Sequence, residues 1–394
     1  MSGRFGVYIH IPYCIQRCTY CDFATYVQTE IKPPEYYVSL IKKEIFNKRH
    51  LFPARVLDTL YFGGGTPSLI PAELIVELIL ELAKFGYSTG PQTEITIEIN
   101  PATVDEKKLE IYLNAGFNRF SVGAQSFSNR LLKMVNREHN ADQTLQTLRL
   151  LKKYDLNFSF DVLFALPTQT VSELRYDVQV ALDLGSKHIS PYCLTVPEGH
   201  PLSKNRPPDE EQLEMFSVIH QELSARNFAR YEISNYALPG FESKHNLLYW
   251  TDEEYWGLGL SAHSYTKKTT WGSRFWNQSN FELYSRETEA ATEIGSIENF
   301  SKEQIEHLER HQSLTDFCYT SLRLERGLSF EAVARKFGAS TLGLVQSVAQ
   351  PMVERKLIRE ANNHYILTEA GIVISNQIFE KFTFLNSDFS NSGS

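Results

Sequence analysis

Long apolar runs, excess positive charge and cysteine are what these 394 residues have least of. No stretch approaches 18 uninterrupted apolar residues, which argues against a transmembrane helix. The start, MSGRFGVYIHIPYC, lacks the charged region and apolar core of a secretory leader. Lys and Arg total 39 against 47 Asp and Glu, a net charge of −8, so the basic footprint of a nucleic-acid binder is missing. Five cysteines without a leader do not make a disulfide scaffold and point to a reducing cytoplasm. With 42% hydrophobic and 22% charged residues, the composition is that of a globular protein with one large domain and one or two smaller ones.

The few cysteines are concentrated. Cys14, Cys18 and Cys21 share one short segment, YIHIPYCIQRCTYCDF, directly after an apolar run. Three thiolates fall short of the four ligands of structural zinc, and disulfide pairing would leave one over. An iron–sulfur cubane fits better, because three thiolates hold three irons and leave the fourth open for chemistry. A redox thiol group, or zinc completed by His10, stands as the alternative. Cys193 and Cys318 are isolated and read as small buried hydrophobes.

Six strand-then-helix units follow one another. Strands are predicted at 7–11, 59–62, 94–100, 119–125, 159–167 and 188–194. Helices are predicted near 35–48, 72–85, 105–114, 129–134, 141–154 and 171–184. This alternation implies an α/β fold with a parallel sheet that can curl into a full or partial β/α barrel. Polar features mark the strand ends: the cysteine loop, the Gly63–Gly65 run, Glu98, Gln125, Asp161 and Thr195. Parallel sheets place ligands at these carboxyl ends. Further on, an amphipathic helix is expected at 207–227, and short strands and loops rich in Tyr, Trp, Gly and His at 230–266. Helices at 304–325, within GLSFEAVARKFG and at 341–356 lead to a hairpin turning at Asn362-Asn363, a winged-helix-like pattern. It carries no strong basic run and is read as a packing or partner-binding module. The expected division is a partial barrel at 1–200, an α+β extension at 201–300, the winged-helix-like module at 301–385 and a disordered tail at 386–394.

The cysteine loop resembles the signature of the radical S-adenosylmethionine (SAM) superfamily. There the open iron binds SAM, and an electron from the cluster cleaves the sulfonium to give a 5′-deoxyadenosyl radical. The closer resemblance is to the HemN-like branch, carried by YIHIPYCIQRCTYCDF, YFGGGTPSLI, ITIEINP, SVGAQSF, MVNREH, FDVLFALPTQT and the C-terminal module. It implies a partial (β/α)6 radical SAM barrel with Cys14, Cys18 and Cys21 as 4Fe–4S ligands. It also implies a SAM shell of Tyr8, Tyr20, Gly64, Gly65, Thr66, Glu98, Gln125, Arg137 and Asp161, with Thr195 as a further candidate.

Two departures narrow the branch. Coproporphyrinogen dehydrogenases carry another cysteine two residues after the third ligand, where this chain has Phe23. They also carry a substantial N-terminal extension, which is not expected here with 13 residues before Cys14. In their place HNLLYW, residues 245–250, resembles the H-N-x-x-Y-W signature of the HemW-type haem chaperones. That likeness implies haem held by His245 as axial ligand with Tyr249 and Trp250 along the porphyrin face. The bland reading is an aromatic core around a hydrogen-bonded histidine, and His263 is a second candidate ligand. His10 is expected to support the cysteine loop. The resemblance further implies delivery of haem to respiratory proteins, an electron donor, a homodimer, and membrane contact only through partners. A coproporphyrinogen dehydrogenase and a radical SAM methyltransferase or haem-modifying enzyme remain as rivals.

Overall fold

Runs of six or seven apolar, β-branched and aromatic residues build the central sheet of this computed structural model, which describes residues 3–389. The chain begins with β1 (Phe5–Ile11), then β2 (Tyr13–Cys14) and β3 (Tyr26–Val27), which pair with each other across the cysteine loop. Helix and strand then alternate through α1 (Pro34–Lys48), β4 (Thr59–Gly64), α2 (Ala72–Lys84), β5 (Glu94–Ile99), α3 (Glu106–Asn114) and β6 (Arg119–Gln125). The series continues with α4 (Asn129–Met134), α5 (Ala141–Lys153), β7 (Phe158–Phe164), α6 (Val171–Asp183) and β8 (His188–Cys193). Strands β1, β4, β5, β6, β7 and β8 lie side by side in that order, every neighbouring pair parallel. Capping boxes fix the starts of two covering helices, Asn140 with Gln143 on α5 and Thr170 with Glu173 on α6. Val7, Ile9, Leu60, Phe62, Ile97, Phe120 and Phe160 are all buried in one core, as parallel strands covered by helices require.

The next segment enlarges this sheet. It comprises α7 (Asp209–Ser224), β9 (Ala229–Glu232), β10 (Asn235–Ala237), α8 (Lys244–Trp250), β11 (Glu254–Leu258), β12 (His263–Thr266), β13 (Ser273–Trp276), α9 (Phe281–Ala290) and β14 (Ile305–His307). β10 and β9 continue the sheet beyond β8, while β11 joins β1 as a seventh parallel strand and leads to antiparallel β12, β13 and β14. The result is a single sheet of twelve strands. Helix was expected from 304, but 305–307 pair with β13 and helix starts only at Arg310.

A second core belongs to the C-terminal part. It contains α10 (Arg310–Arg323), β15 (Leu328–Ser329), α11 (Phe330–Phe337), α12 (Ala339–Glu354), β16 (Ile358–Ala361), β17 (His364–Leu367), α13 (Glu369–Val373) and α14 (Ser375–Lys381). Its three-stranded sheet runs β15-β17-β16, and Asn362 and Asn363 turn the hairpin with φ of 51° and 59°. Two consecutive positive φ values are what a tight hairpin needs and what asparagine tolerates. Within the tail expected to be disordered, 386–389 instead form a short helical turn, and Phe389 packs under Arg310 at 4.7 Å. Residues 390–394 lie outside the described residues. No helix among the described residues is long and apolar enough to cross a membrane.

Candidate cofactor site

The carboxyl ends of the parallel strands open into a cavity of about 420 Å³. Its rim is the cysteine loop, which local polarity holds in place. Tyr26 N donates to Pro12 O at 2.8 Å and Gln28 N to Cys14 O at 2.9 Å, clamping the two ends of the loop together. His10 is buried, and burial pushes its pKa down to about 4, so the ring is neutral. Its Nε2 donates to Ala24 O at 2.9 Å and its Nδ1 accepts from Tyr8 at 3.1 Å. His10 thus braces the loop from beneath. From the far side Asn136 Nδ2 donates to Arg17 O at 2.7 Å.

Cys14, Cys18 and Cys21 all line this cavity, half-buried, as do Tyr20, Gly64, Gly65 and Thr66. The glycines are dictated by contact. Gly64 has φ +112°, and a Cβ there would lie 2.6 Å from the His10 ring. A Cβ on Gly65 would sit 2.7 Å from Tyr13 O and 3.0 Å from Cys14 Sγ. Bare backbone therefore runs directly under the loop.

The floor is acidic and basic in turn. Glu98 accepts from Tyr61 Oη at 2.8 Å and from Gly64 N at 3.0 Å. Burial nevertheless raises its pKa to about 7, with Asp161 adding to the rise. Asp161 is lifted to about 6, again chiefly by burial, against the pull of Ser190, Arg119 and Arg137. Arg137 reaches in from beyond α4, donating to Cys18 Sγ at 3.4 Å and also to Asn100 Oδ1 and Gly123 O. Its Nε is buried without a partner among the described residues. Gln125 ends β6 with φ of 69°, where the register with β7 slips. Thr195 lies at the lip of the same cavity.

Burial pushes the Cys14 thiol up to about 11 and raises Cys21 as well. A metal cluster would reverse this, since coordination deprotonates a thiol outright. Among the described residues no three His, Cys, Asp or Glu side chains converge as ligands of a single ion. A cubane does not ask for that, because each thiolate binds its own iron. Three half-buried sulfurs over a glycine cradle, with one arginine beside them, fit such a group.

Five candidate residues lie elsewhere. Tyr8 is one layer down in the barrel interior, 6.0 Å from the Tyr61 ring and not in the cavity lining. His245 plugs the amino end of the strands. Helix α8 is seated there by Glu94, whose carboxylate accepts from Lys244 N at 3.1 Å and His245 N at 3.0 Å. The His245 ring shares Nδ1 with Thr59 Oγ1 at 2.6 Å and Nε2 with Tyr249 Oη at 2.8 Å, and it stacks on Tyr61 at 5.0 Å. Only 2% exposed and with its pKa pushed down to about 3 by burial, it is a neutral imidazole with both nitrogens engaged. As an axial haem ligand it does not fit in this arrangement. Tyr249 and Trp250 line a different and larger cavity, with the Arg323 guanidinium 4.4 Å over the Trp250 ring. His263 is exposed and stacks on Trp276 at 5.5 Å.

Other residues of the site lie inside the motifs YFGGGTPSLI and ITIEINP but were not singled out from the sequence. Tyr61 orients Glu98, and Asn100 holds Arg137. Cys193, read as a buried hydrophobe, is instead exposed at the cavity lip, 3.9 Å from Arg206, because β8 ends there. Cys318 is buried as expected.

A family model described as the radical SAM superfamily matches residues 8–181, and one described as the HemN C-terminal domain matches 308–374. The heme chaperone HemW of Bacillus subtilis is 30% identical, covering 96% of this chain and 98% of that protein. The Escherichia coli HemW is 31% identical over 96% and 97%. The Synechocystis HemW is 37% identical over 66% of each. The solved structure of E. coli coproporphyrinogen III oxidase (HemN), a radical SAM enzyme, is similar with a TM-score of 0.80. That likeness covers 97% of this chain and 90% of that one, at 19% identity, and is one of fold. On full-length identity to these relatives, the chain belongs to the HemW family of HemN-like radical SAM proteins.

Proposed function

We propose that this chain is a haem chaperone that holds a 4Fe–4S cluster and SAM and passes haem to respiratory proteins. The observation that carries the reading is the single cavity in which the three cysteines meet the glycine cradle and the half-buried pair Glu98 and Asp161. Its setting in a HemW family chain supplies the cargo. When bound, the cluster and SAM supply one-electron chemistry at the sulfonium. The protein's part is positioning. Cys14, Cys18 and Cys21 would hold three irons, and the Arg137 guanidinium beside Cys18 would offset thiolate charge. Backbone C=O groups at Gly64 and Gly65, with the Thr66 hydroxyl, would take the methionine end of SAM, since the N–H groups there are committed to Glu98, Ile11 and Tyr13. Glu98 and Asp161 would accept hydrogen bonds from its amino and ribose hydroxyl groups, Tyr20 would cover the adenine, and Gln125 would close the remaining side. Tyr8 would act from below, through His10 and the loop.

The cytoplasm suits thiols that must stay reduced for a cluster. Haem-accepting respiratory proteins, an electron donor and a second copy of the chain are the proposed partners, with membrane contact only through them. Phe23 stands where dehydrogenases of the branch carry a further cysteine, which favours chaperoning over propionate oxidation. Anaerobic reconstitution tests this. Wild type should bind iron, sulfide and haem without turning over coproporphyrinogen, and Cys18→Ala should lose the iron and sulfide. Multiple turnovers of coproporphyrinogen would make the chain a dehydrogenase instead, and full iron content in Cys18→Ala would remove the loop as ligand set.

A further inference from the structure

A cavity of about 810 Å³ lies between helix α8, strands β11 to β13 and helices α10 and α14. Its size falls within the range of about 300–1,000 Å³ that buries small-molecule ligands. Aromatic rings face it from two sides. Tyr249, Trp250 and Tyr255 come from the barrel side, with Tyr249 and Tyr255 edge to face at 4.7 Å. Phe317, Tyr319 and Phe379 come from the C-terminal module, the last two stacked at 5.7 Å. Walls of this kind suit a flat conjugated ligand, which buries large area against ring faces. Charge is a lesser attraction, because Arg274 is paired with Asp316 and Arg323 with Glu232. His245 touches this cavity only through its hydrogen bond to Tyr249.

We propose that the cargo macrocycle seats in this ring-walled cavity by face contact with Tyr249, Trp250 and Tyr255, and that His245 is a positioning residue holding Tyr249 rather than the iron ligand. The proposal rests on the haem-chaperone reading. It is tested on the full chain, cluster-reconstituted, by titration with ferric haem and by competition with metal-free protoporphyrin IX. Metal-free protoporphyrin should displace haem at comparable concentrations, because ring contact needs no iron. His245→Gln should weaken haem and metal-free protoporphyrin by the same factor, about threefold, because it acts only through Tyr249, while Thr320→Trp, which fills the cavity, and Tyr255→Ala, which removes a wall, should each weaken both about tenfold or more. Cluster absorbance and the thermal midpoint report whether each variant is folded; should neither cavity variant fold, the competition on wild type decides. Failure of metal-free protoporphyrin to compete at about 100-fold excess, a gap of nearly 3 kcal/mol, would overturn the proposal. So would wild-type affinity in both cavity variants, or a His245→Gln protein that loses haem yet keeps metal-free protoporphyrin. Wild type that binds neither porphyrin would bring down the chaperone reading itself.

Discussion

His245 commits both ring nitrogens to the barrel interior, one to Thr59 and one to Tyr249, and this sets a pH dependence. Its pKa in the fold is about 3, against 6.5 for a free imidazole. Below pH 6.5 the unfolded chain takes up a proton that the native state refuses. This share of stability is therefore complete above 6.5 and is lost as the pH falls toward 3, amounting to about 2 kcal/mol by pH 5. Glu98 and Asp161 act in the opposite sense, since their raised pKa values let the native state take protons first. They are common to wild type and mutant and cancel in a comparison. Urea unfolding at pH 7.5 and pH 5 should show the stability gap between wild type and His245→Gln narrowing by about 2 kcal/mol on acidification. An unchanged gap would mean the imidazole is already charged or solvated. At this scale the sequence was legible where chemistry is local. The three cysteines, Gly64, Gly65, Thr66, Glu98, Gln125, Arg137 and Asp161 do line one cavity. Tyr8 was expected in the SAM shell yet lies below the cavity, and Tyr61 was not singled out, because a strand buried on both faces gives no alternation to say which side chains reach the site.

Helix α8 owes its seat to a glycine. A Cβ on Gly6 would lie 2.3 Å from Thr59 Oγ1 and 2.4 Å from Leu248 Cδ1, so only a bare backbone lets the helix press against β1 and β4. Gly6→Val should therefore lower stability by about 1–3 kcal/mol, read as a shift in denaturant midpoint. It should also disturb haem binding more than cluster content, since α8 lies at the end of the barrel away from the cysteine loop. Equal loss of both would mean that the variant fails globally. Elements with several turns or a strong turn signal could be read in advance, as α2, α6 and the Asn362-Asn363 hairpin were. Helix α8 spans only seven residues, too few for a period to emerge, whereas the Asn280 cap of α9 was a start signal that went unread. The three residues of β14 are strand only because β13 offers them an edge.

On the scale of the whole molecule, β10 covers the outer side of β8 and β11 covers the outer side of β1. Sequence alternation revealed the six parallel strands but not that residues beyond 200 complete their sheet, since pairing across such a distance leaves no local pattern. A fragment ending at residue 200 would have two long unpaired edges, a known route to aggregation. It should be insoluble or oligomeric by gel filtration, whereas a monomeric fragment with cooperative melting would show that the edges need no cover.

The pairing of Phe5 with Glu254 also orders events in the cell. While the polypeptide is being made, the strand that leads into the cysteine loop waits for its outer neighbour until residues 254–258 have left the ribosome. Loading of the proposed cluster is therefore expected after synthesis of most of the chain, on a loop whose footing has only then become firm.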